Sequence, residues 1–379
     1  MKRKHGTKKT SPRIAIAHDY LTQRGGAERV ALSLHRAFPE AKIYTTLYDP
    51  ASTFPEFKSA DIVTSPLNAL RIFRKNHRLA LPLLAVASSL VKIDADVVVA
   101  SSSGWAHGFK TKGVKLTYCH TPARWLYLKN EYLGPDASLT KRIVLKVVSP
   151  WLKTWDQNAA KNSGPYVANS TVVQQRIRSI YGKNAPIIFP PHSVNVEAEV
   201  ASVSEIGSEL FGKYLLVVSR LMPYKNVGVA IDAATLSGLP IVVVGRGPEK
   251  LRLEKEAGDR AIFLSDLSEE ELRYVYSGAR FLIAPSYEDF GITPLEAAAW
   301  GIPTLALRSG GYLDTVVDGV TGLFFEKPTA SDISQSIDVG LNMGWNRKEI
   351  RDRARLFAED RFISEINDQL EKLGFGNFR

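Results

Sequence analysis

Short runs of aliphatic and β-branched residues alternate with longer amphipathic stretches along almost the whole chain. In the first half these runs predict strands over 13–17, 41–46, 61–64, 96–101, 114–119, 166–168 and 186–189. In the second half they predict strands over 214–219, 240–244, 261–264, 281–284, 303–307 and 322–325. Segments such as VVVA and IVVV are apolar at every position, the pattern of parallel strands covered on both faces. Helices are predicted between them, over 27–38, 172–181, 227–237, 268–277 and 293–300. Strand–helix alternation of this kind predicts an α/β protein built from doubly wound, Rossmann-like domains.

The 379 residues are too many for one ordinary core and suit two such domains. The best boundary opens at Pro190-Pro191, runs through the polar segment HSVNVEAEVASVSEIGSE and ends before the buried run YLLVVS. The predicted plan is a basic arm over 1–12, a first domain over 13–191, a linker over 192–213 and a second domain over 214–355. A helical segment over 356–379 would pack back on the first domain. Two sheets joined this way leave a cleft between their carboxyl ends, where open α/β sheets bind ligands.

Charge adds a direction to this plan. Residues 1–195 carry 29 Lys and Arg against 11 Asp and Glu, whereas residues 196–379 carry 20 against 28. A first half so basic points to an anionic partner: a phosphorylated substrate, a membrane surface or nucleic acid. With 45% hydrophobic residues, wholesale disorder is excluded. Cys119 is the only cysteine, which excludes a disulfide scaffold and predicts a reducing, cytoplasmic setting. The longest charge-free apolar stretch, over 79–91, is too short to span a bilayer, which takes about 20 residues. Yet the segment 68–92 sets Arg71, Arg74, Lys75 and Arg78 beside that stretch. It reads either as a core helix with a basic approach or as an interfacial helix on the cytoplasmic face of a membrane.

Four segments carry candidate chemistry. In HDYLTQRGGAERV (18–30), Gly25 and Gly26 precede a helix, where backbone N–H groups can approach a phosphate. In YCHTPARW (118–125), His120 follows a strand end, placed either to meet a ligand hydroxyl or to bond backbone. In VVSRLMPYKN (217–226), Arg220 and Lys225 lie between a buried strand and a helix, as a leaving diphosphate requires. In EDFGITPLEAAAWGIP (288–303), Glu288 and Glu296 flank a helix start and Gly291 frees the backbone between them. Carboxylates there also simply favour the helix dipole, so spacing alone does not decide their role.

Together these segments resemble the retaining glycosyltransferases of family 4, which have the GT-B architecture of two Rossmann-like domains facing across a cleft. The likeness runs through GGAERV (25–30), HTPARW (120–125), TWDQNAA (154–160), VANS (167–170), SRLMPYKN (219–226), EDFGITPLEAAA (288–299) and DGVTGLFF (318–325). Its flanking residues are most similar to bacterial GDP-mannose-dependent mannosyltransferases of surface polysaccharide synthesis. The resemblance implies that Gly25 and Gly26 line the phosphate and acceptor side and that His120 contacts the donor sugar. It implies that Arg220 and Lys225 hold the diphosphate in place of a metal, so that no metal or other cofactor is needed. Glu288, with the backbone from Phe290 through Gly291 to Ile292, would meet the sugar, and Glu296 would bind the ribose. Ala123 and Leu126 depart from the pattern and leave acceptor and sugar choice open. The implied acceptor is a lipid-linked saccharide or other glycan, and the donor a GDP-sugar or, alternatively, a UDP-sugar. Two other classes compete. VVVGRGP (242–248) has the glycines of a nicotinamide-binding turn but not the full fingerprint. A nucleic-acid-binding protein would explain the basic half but lacks a recognisable motif.

Overall fold

The computed structural model describes residues 12–128 and 139–376, apart from the side chains of 78, 139–142 and 144. The predicted basic arm, except its last residue, lies outside the described residues. Two six-stranded parallel sheets form the frame. The first runs Ile62–Thr64, Lys42–Thr45, Ile14–His18, Val97–Ser102, Val114–Cys119 and Tyr166–Ala168 in spatial order. The second runs Ala261–Leu264, Ile241–Val244, Tyr214–Val218, Ala279–Ala284, Thr304–Leu307 and Gly322–Phe325. Both have the doubly wound order, in which direction reverses beside the domain's first strand and opens a crevice at the carboxyl ends. Val97–Ser102 and Ile241–Val244 are buried at every position, because helices cover both faces of each sheet.

Register brings the polar ends of three strands together. Ile14–His18 pairs with Val97–Ser102 so that His18 lies beside Ser101, and Val114–Cys119 pairs so that Cys119 lies beside Ser102. His120 is the next residue, and its N–H donates to the Ser102 carbonyl at 2.9 Å.

One predicted strand is not formed. Over 186–189 only Ile187 bridges, to Ala168. Pro186 has no N–H to give a ladder, and Pro190 and Pro191 stop the run. The next segment crosses to the second domain and packs on it, with Val203 and Ile206 buried among Tyr214, Leu216 and Val275. The return crossing comes after Phe357, whose ring lies 5.2 Å from Phe189 and 6.0 Å from Phe290. Helix Glu359–Lys372 then places Phe362, Ile366 and Leu370 in the first domain's core against Ile16, Leu34 and Tyr118. Their spacing of four is one stripe of a helix.

Segment 68–92 packs on the first domain along one side and is exposed along the other. Helix Leu81–Leu90 buries Leu84, Ala85, Ala87 and Ser88, while Leu79, Leu83, Val86 and Leu90 stay exposed. Beside it the long helix Leu139–Lys161 exposes Ile143, Val147 and Trp151, again one stripe. Trp155 Nε1 donates to Ser89 Oγ at 2.8 Å and ties the two helices together. Among the described residues no helix is long and apolar enough to cross a membrane.

Candidate active site in the interdomain cleft

At the carboxyl end of strand Tyr214–Val218 the chain turns through Arg220 and a short helical turn, Pro223–Lys225. Asn226 takes a left-handed backbone with φ of 54° and is anchored by its side-chain N–H to the Pro285 carbonyl at 2.9 Å. This turn buries Lys225 and drives its ammonium onto the Glu288 carboxylate, which also accepts from Ser286 Oγ at 2.8 Å. Burial pushes the Glu288 carboxyl up, but Lys225 and the hydroxyl more than offset it, so the group is held below the usual carboxylate range. Arg220 remains exposed, its guanidinium 3.4 Å from Tyr224 Oη. Among the described residues, Lys225 is thus a buried, paired cation at this site and Arg220 an exposed one.

The loop after Glu288 is shaped by close backbone approach. Gly291 has φ of +80°, and a Cβ there would strike the Tyr312 ring. Phe290 is buried and Ile292 leads into helix Thr293–Ala299. Glu296, on that helix, does not join Glu288. It accepts from Tyr276 Oη at 2.7 Å and lines a separate small cavity with Arg29, Glu269, Tyr276 and Trp300. Arg29 comes from the first domain, from the same helix that Gly26 begins, and reaches Ser193 and Glu269. This cavity thus spans both domains.

On the first domain His120 is buried and its Nε2 lies 2.7 Å from Ser101 Oγ. Burial, with His18 nearby, holds its imidazole at a pKa of about 3, so the ring stays neutral. Gly25 and Gly26 belong to this side. A Cβ on Gly25 would come within 2.6 Å of Glu28 Oε2, so the glycine makes room for that carboxylate, while Gly26 faces open space.

The two sides meet through Asp289. Its carboxylate is ion-paired with Arg176 and, at 3.0 Å, with Arg124, both from the first domain. Arg176 also donates to Thr121 Oγ1 at 3.1 Å and to Tyr287 Oη at 2.8 Å. The neighbours of His120 and of Glu288 are thereby drawn to one place. Sequence reading missed Arg29, Arg124, Arg176 and Asp289. Arg29, Arg124 and Asp289 stand inside GGAERV, HTPARW and EDFGITPLEAAA, but only tertiary contact shows what they hold. The glycines of VVVGRGP serve packing: at Gly245 and Gly247 a Cβ would collide with the Ser219 and Leu221 carbonyls. They bring that turn against the Arg220 loop.

The profile of Glycosyltransferase Family 4 matches residues 24–198, and that of Glycosyl transferases group 1 matches residues 205–357. Curated relatives include the alpha-1,3/1,6-mannosyltransferase ALG2 of Dictyostelium discoideum, 26% identical over 92% of this chain and 94% of the relative. The O-antigen chain mannosyltransferase C of Escherichia coli is 28% identical over 51% of this chain and 52% of its own. Among solved structures, sucrose-phosphate synthase from Thermosynechococcus elongatus superposes with a TM-score of 0.68 at 17% identity, over 96% of this chain and 99% of that one. Anabaena HepE in complex with UDP gives 0.63 at 17% identity, over 95% and 99%. At such identities these two bear on the fold alone.

Proposed function

The chain belongs to the GT-B glycosyltransferases, joining a family 4 first domain to a group 1 second domain, and on that premise we propose that it transfers mannose from a nucleotide-diphosphate donor to a glycan acceptor. The observation that carries the reading is the Lys225–Glu288–Ser286 cluster beside the open Arg220, at the mouth of the second sheet. Negative charge grows on a diphosphate as its bond to the sugar breaks, and fixed cations in a partly dry cleft stabilise that charge. Lys225 and Arg220 supply it without a metal ion. Glu288 would meet the sugar, and Glu296 with Tyr276 lines the cavity that would take the ribose. His120 meets the sugar from the opposite domain.

The reaction retains configuration. The C1–O bond to the diphosphate breaks, a C1–O bond to the acceptor forms on the same face, and the acceptor proton passes to the departing phosphate oxygen. The mannose assignment draws on relatives whose names state mannosyl transfer and one of which covers nearly the whole chain. GDP-mannose is the donor we put forward, and a lipid-linked saccharide the acceptor. The exposed stripes Leu79, Leu83, Val86, Leu90 and Ile143, Val147, Trp151 support a peripheral position on a membrane, and the cytoplasmic face is the one we put forward. Arg71 and Arg74 flank them, whereas Lys75 is engaged by Asp49 at 2.9 Å and the Arg78 side chain lies outside the described residues.

A donor-hydrolysis screen with GDP-mannose, UDP-glucose and UDP-galactose, run in EDTA, tests this reading. Hydrolysis of GDP-mannose in EDTA is the expected result. Turnover of a UDP-sugar alone would overturn the donor, and an absolute need for Mn²⁺ or Mg²⁺ would overturn the metal-free mechanism.

A further inference from the structure

Behind His120 runs a line of buried polar groups that the transfer reaction does not by itself explain. Ser101 Oγ lies 2.7 Å from His120 Nε2 and 3.0 Å from His18 Nδ1. His18 Nε2 faces Glu28 Oε1 at 3.8 Å, and Gln23 donates to the same oxygen at 3.0 Å. His18 and Glu28 are each only 2% exposed, and His18 Nε2 has no hydrogen-bond partner among the described residues. Strand register creates the line, since it sets His18 beside Ser101 and carries the chain past Cys119 to His120.

We propose that Glu28 and His18 are positioning residues that fix, through Ser101, the tautomer of His120, so that its Nδ1 presents a hydrogen-bond acceptor to a donor-sugar hydroxyl. This rests on the reading that His120 meets the sugar. A serine hydroxyl has one proton, and among the described residues Ser101 Oγ has no hydrogen-bond partner besides the two imidazoles, so it donates to one and accepts from the other. The buried Glu28 carboxylate decides which. A ring lone pair aimed at that oxygen would be repelled, whereas an N–H is attracted, and low local polarity strengthens the difference. His18 therefore carries its proton on Nε2 and leaves Nδ1 bare. Ser101 O–H donates to that Nδ1, and Ser101 Oγ accepts His120 Nε2–H. Having spent its only ring proton, neutral His120 offers a lone pair at Nδ1.

Asp19, the neighbouring carboxylate, feels the charge of His18 but makes no hydrogen bond to either imidazole among the described residues. It already accepts from the N–H groups of Ser103, Trp105 and Ala106 and from the Ser102 hydroxyl. A second proton on His18 would reverse Ser101 and turn His120 into an Nδ1–H donor, a change that the ring nitrogens report directly.

The test is nitrogen-15 NMR of the histidine rings in the full chain without ligand at neutral pH, with His120 assigned by its loss in His120→Gln. His18 and His120 should both be Nε2–H tautomers. An Nδ1–H tautomer at His120 overturns the proposal, whether or not any sugar donor is ever turned over. Glu28→Gln should mix the tautomers and lower kcat about fivefold, the effect of one ordinary hydrogen bond, with KM for the donor unchanged. Glu28→Gln that leaves both tautomers and kcat unmoved would show that Glu28 only packs. If that variant does not fold, the parent spectrum still decides.

Discussion

At Lys225 a buried ammonium depends on Glu288 for its charge balance, and the donor diphosphate would share it. Lys225→Ala should cost about 2.7–4 kcal/mol of transition-state stabilisation, as loss of one preorganised electrostatic donor does, read as a fall in kcat. Tyr276→Phe removes one hydrogen bond to Glu296 and leaves the shape intact. It should weaken nucleotide binding by about 0.5–1.5 kcal/mol in calorimetry and leave the chemical step alone. His120 predicts a pH effect on stability. Burial, then His18, lowers its folded-state pKa to about 3, below the ordinary value near 6.5. The unfolded chain therefore takes up this proton first as pH falls. The stability contribution is complete above pH 6.5 and is lost progressively toward pH 3. His120→Asn should flatten part of that slope in urea denaturation measured across the window.

Among the elements, the last helix is the clearest case of sequence pattern acting at a distance. Its stripe of Phe362, Ile366 and Leu370 finds no partner in the domain that precedes it and completes the core of the first domain. Phe362 packs edge-on against Tyr118 with centroids 5.4 Å apart. Phe362→Ala should destabilise the first domain by about 3–5 kcal/mol, measured by chemical denaturation. The inner strands coincide with the apolar runs because burial on both faces admits little else, while the edge strands Ile62–Thr64 and Ala261–Leu264 are only partly buried. The failure over 186–189 comes from proline chemistry, since Ile187 and Ile188 alone look like a strand.

For the whole molecule, two features join parts that the chain keeps far apart. The clasp of Arg124 and Arg176 on Asp289 couples the position of one domain to the loop that carries Glu288. Asp289→Asn should raise KM for the donor and increase the radius of gyration in solution scattering, while an unchanged profile would make the clasp a surface pair. The two exposed apolar stripes lie on neighbouring helices, Leu81–Leu90 with the turn before it and Leu139–Lys161, with Arg71, Arg74, Lys146 and Lys153 exposed or partly exposed on the same elements or the turns leading to them. Each cation near an anionic bilayer contributes about 1 kcal/mol, and salt screens it. The chain should sediment with anionic vesicles at low salt. Replacing Leu83, Val86 and Leu90 by serine should release it while donor hydrolysis continues. Undiminished sedimentation of that variant would remove these helices as the anchor.

By itself the sequence determined the two doubly wound sheets, because apolar runs and amphipathic stretches report burial locally. It also determined that Arg220, Lys225 and Glu288 follow strand ends and that Glu296 stands in the first turn of a helix, because strand ends and helix starts are local events. Tertiary structure alone decided what those residues face. Glu288 and Glu296, eight positions apart, take different partners, Lys225 and Tyr276, with a glycine at φ of +80° turning the backbone between them. Asp289 finds two arginines more than a hundred residues away, and Ser101 stands between two histidines only because parallel register aligns three strands. Such pairings depend on side chains that are remote in the chain, and hydrophobic periodicity carries no information about which remote polar groups will share a buried space.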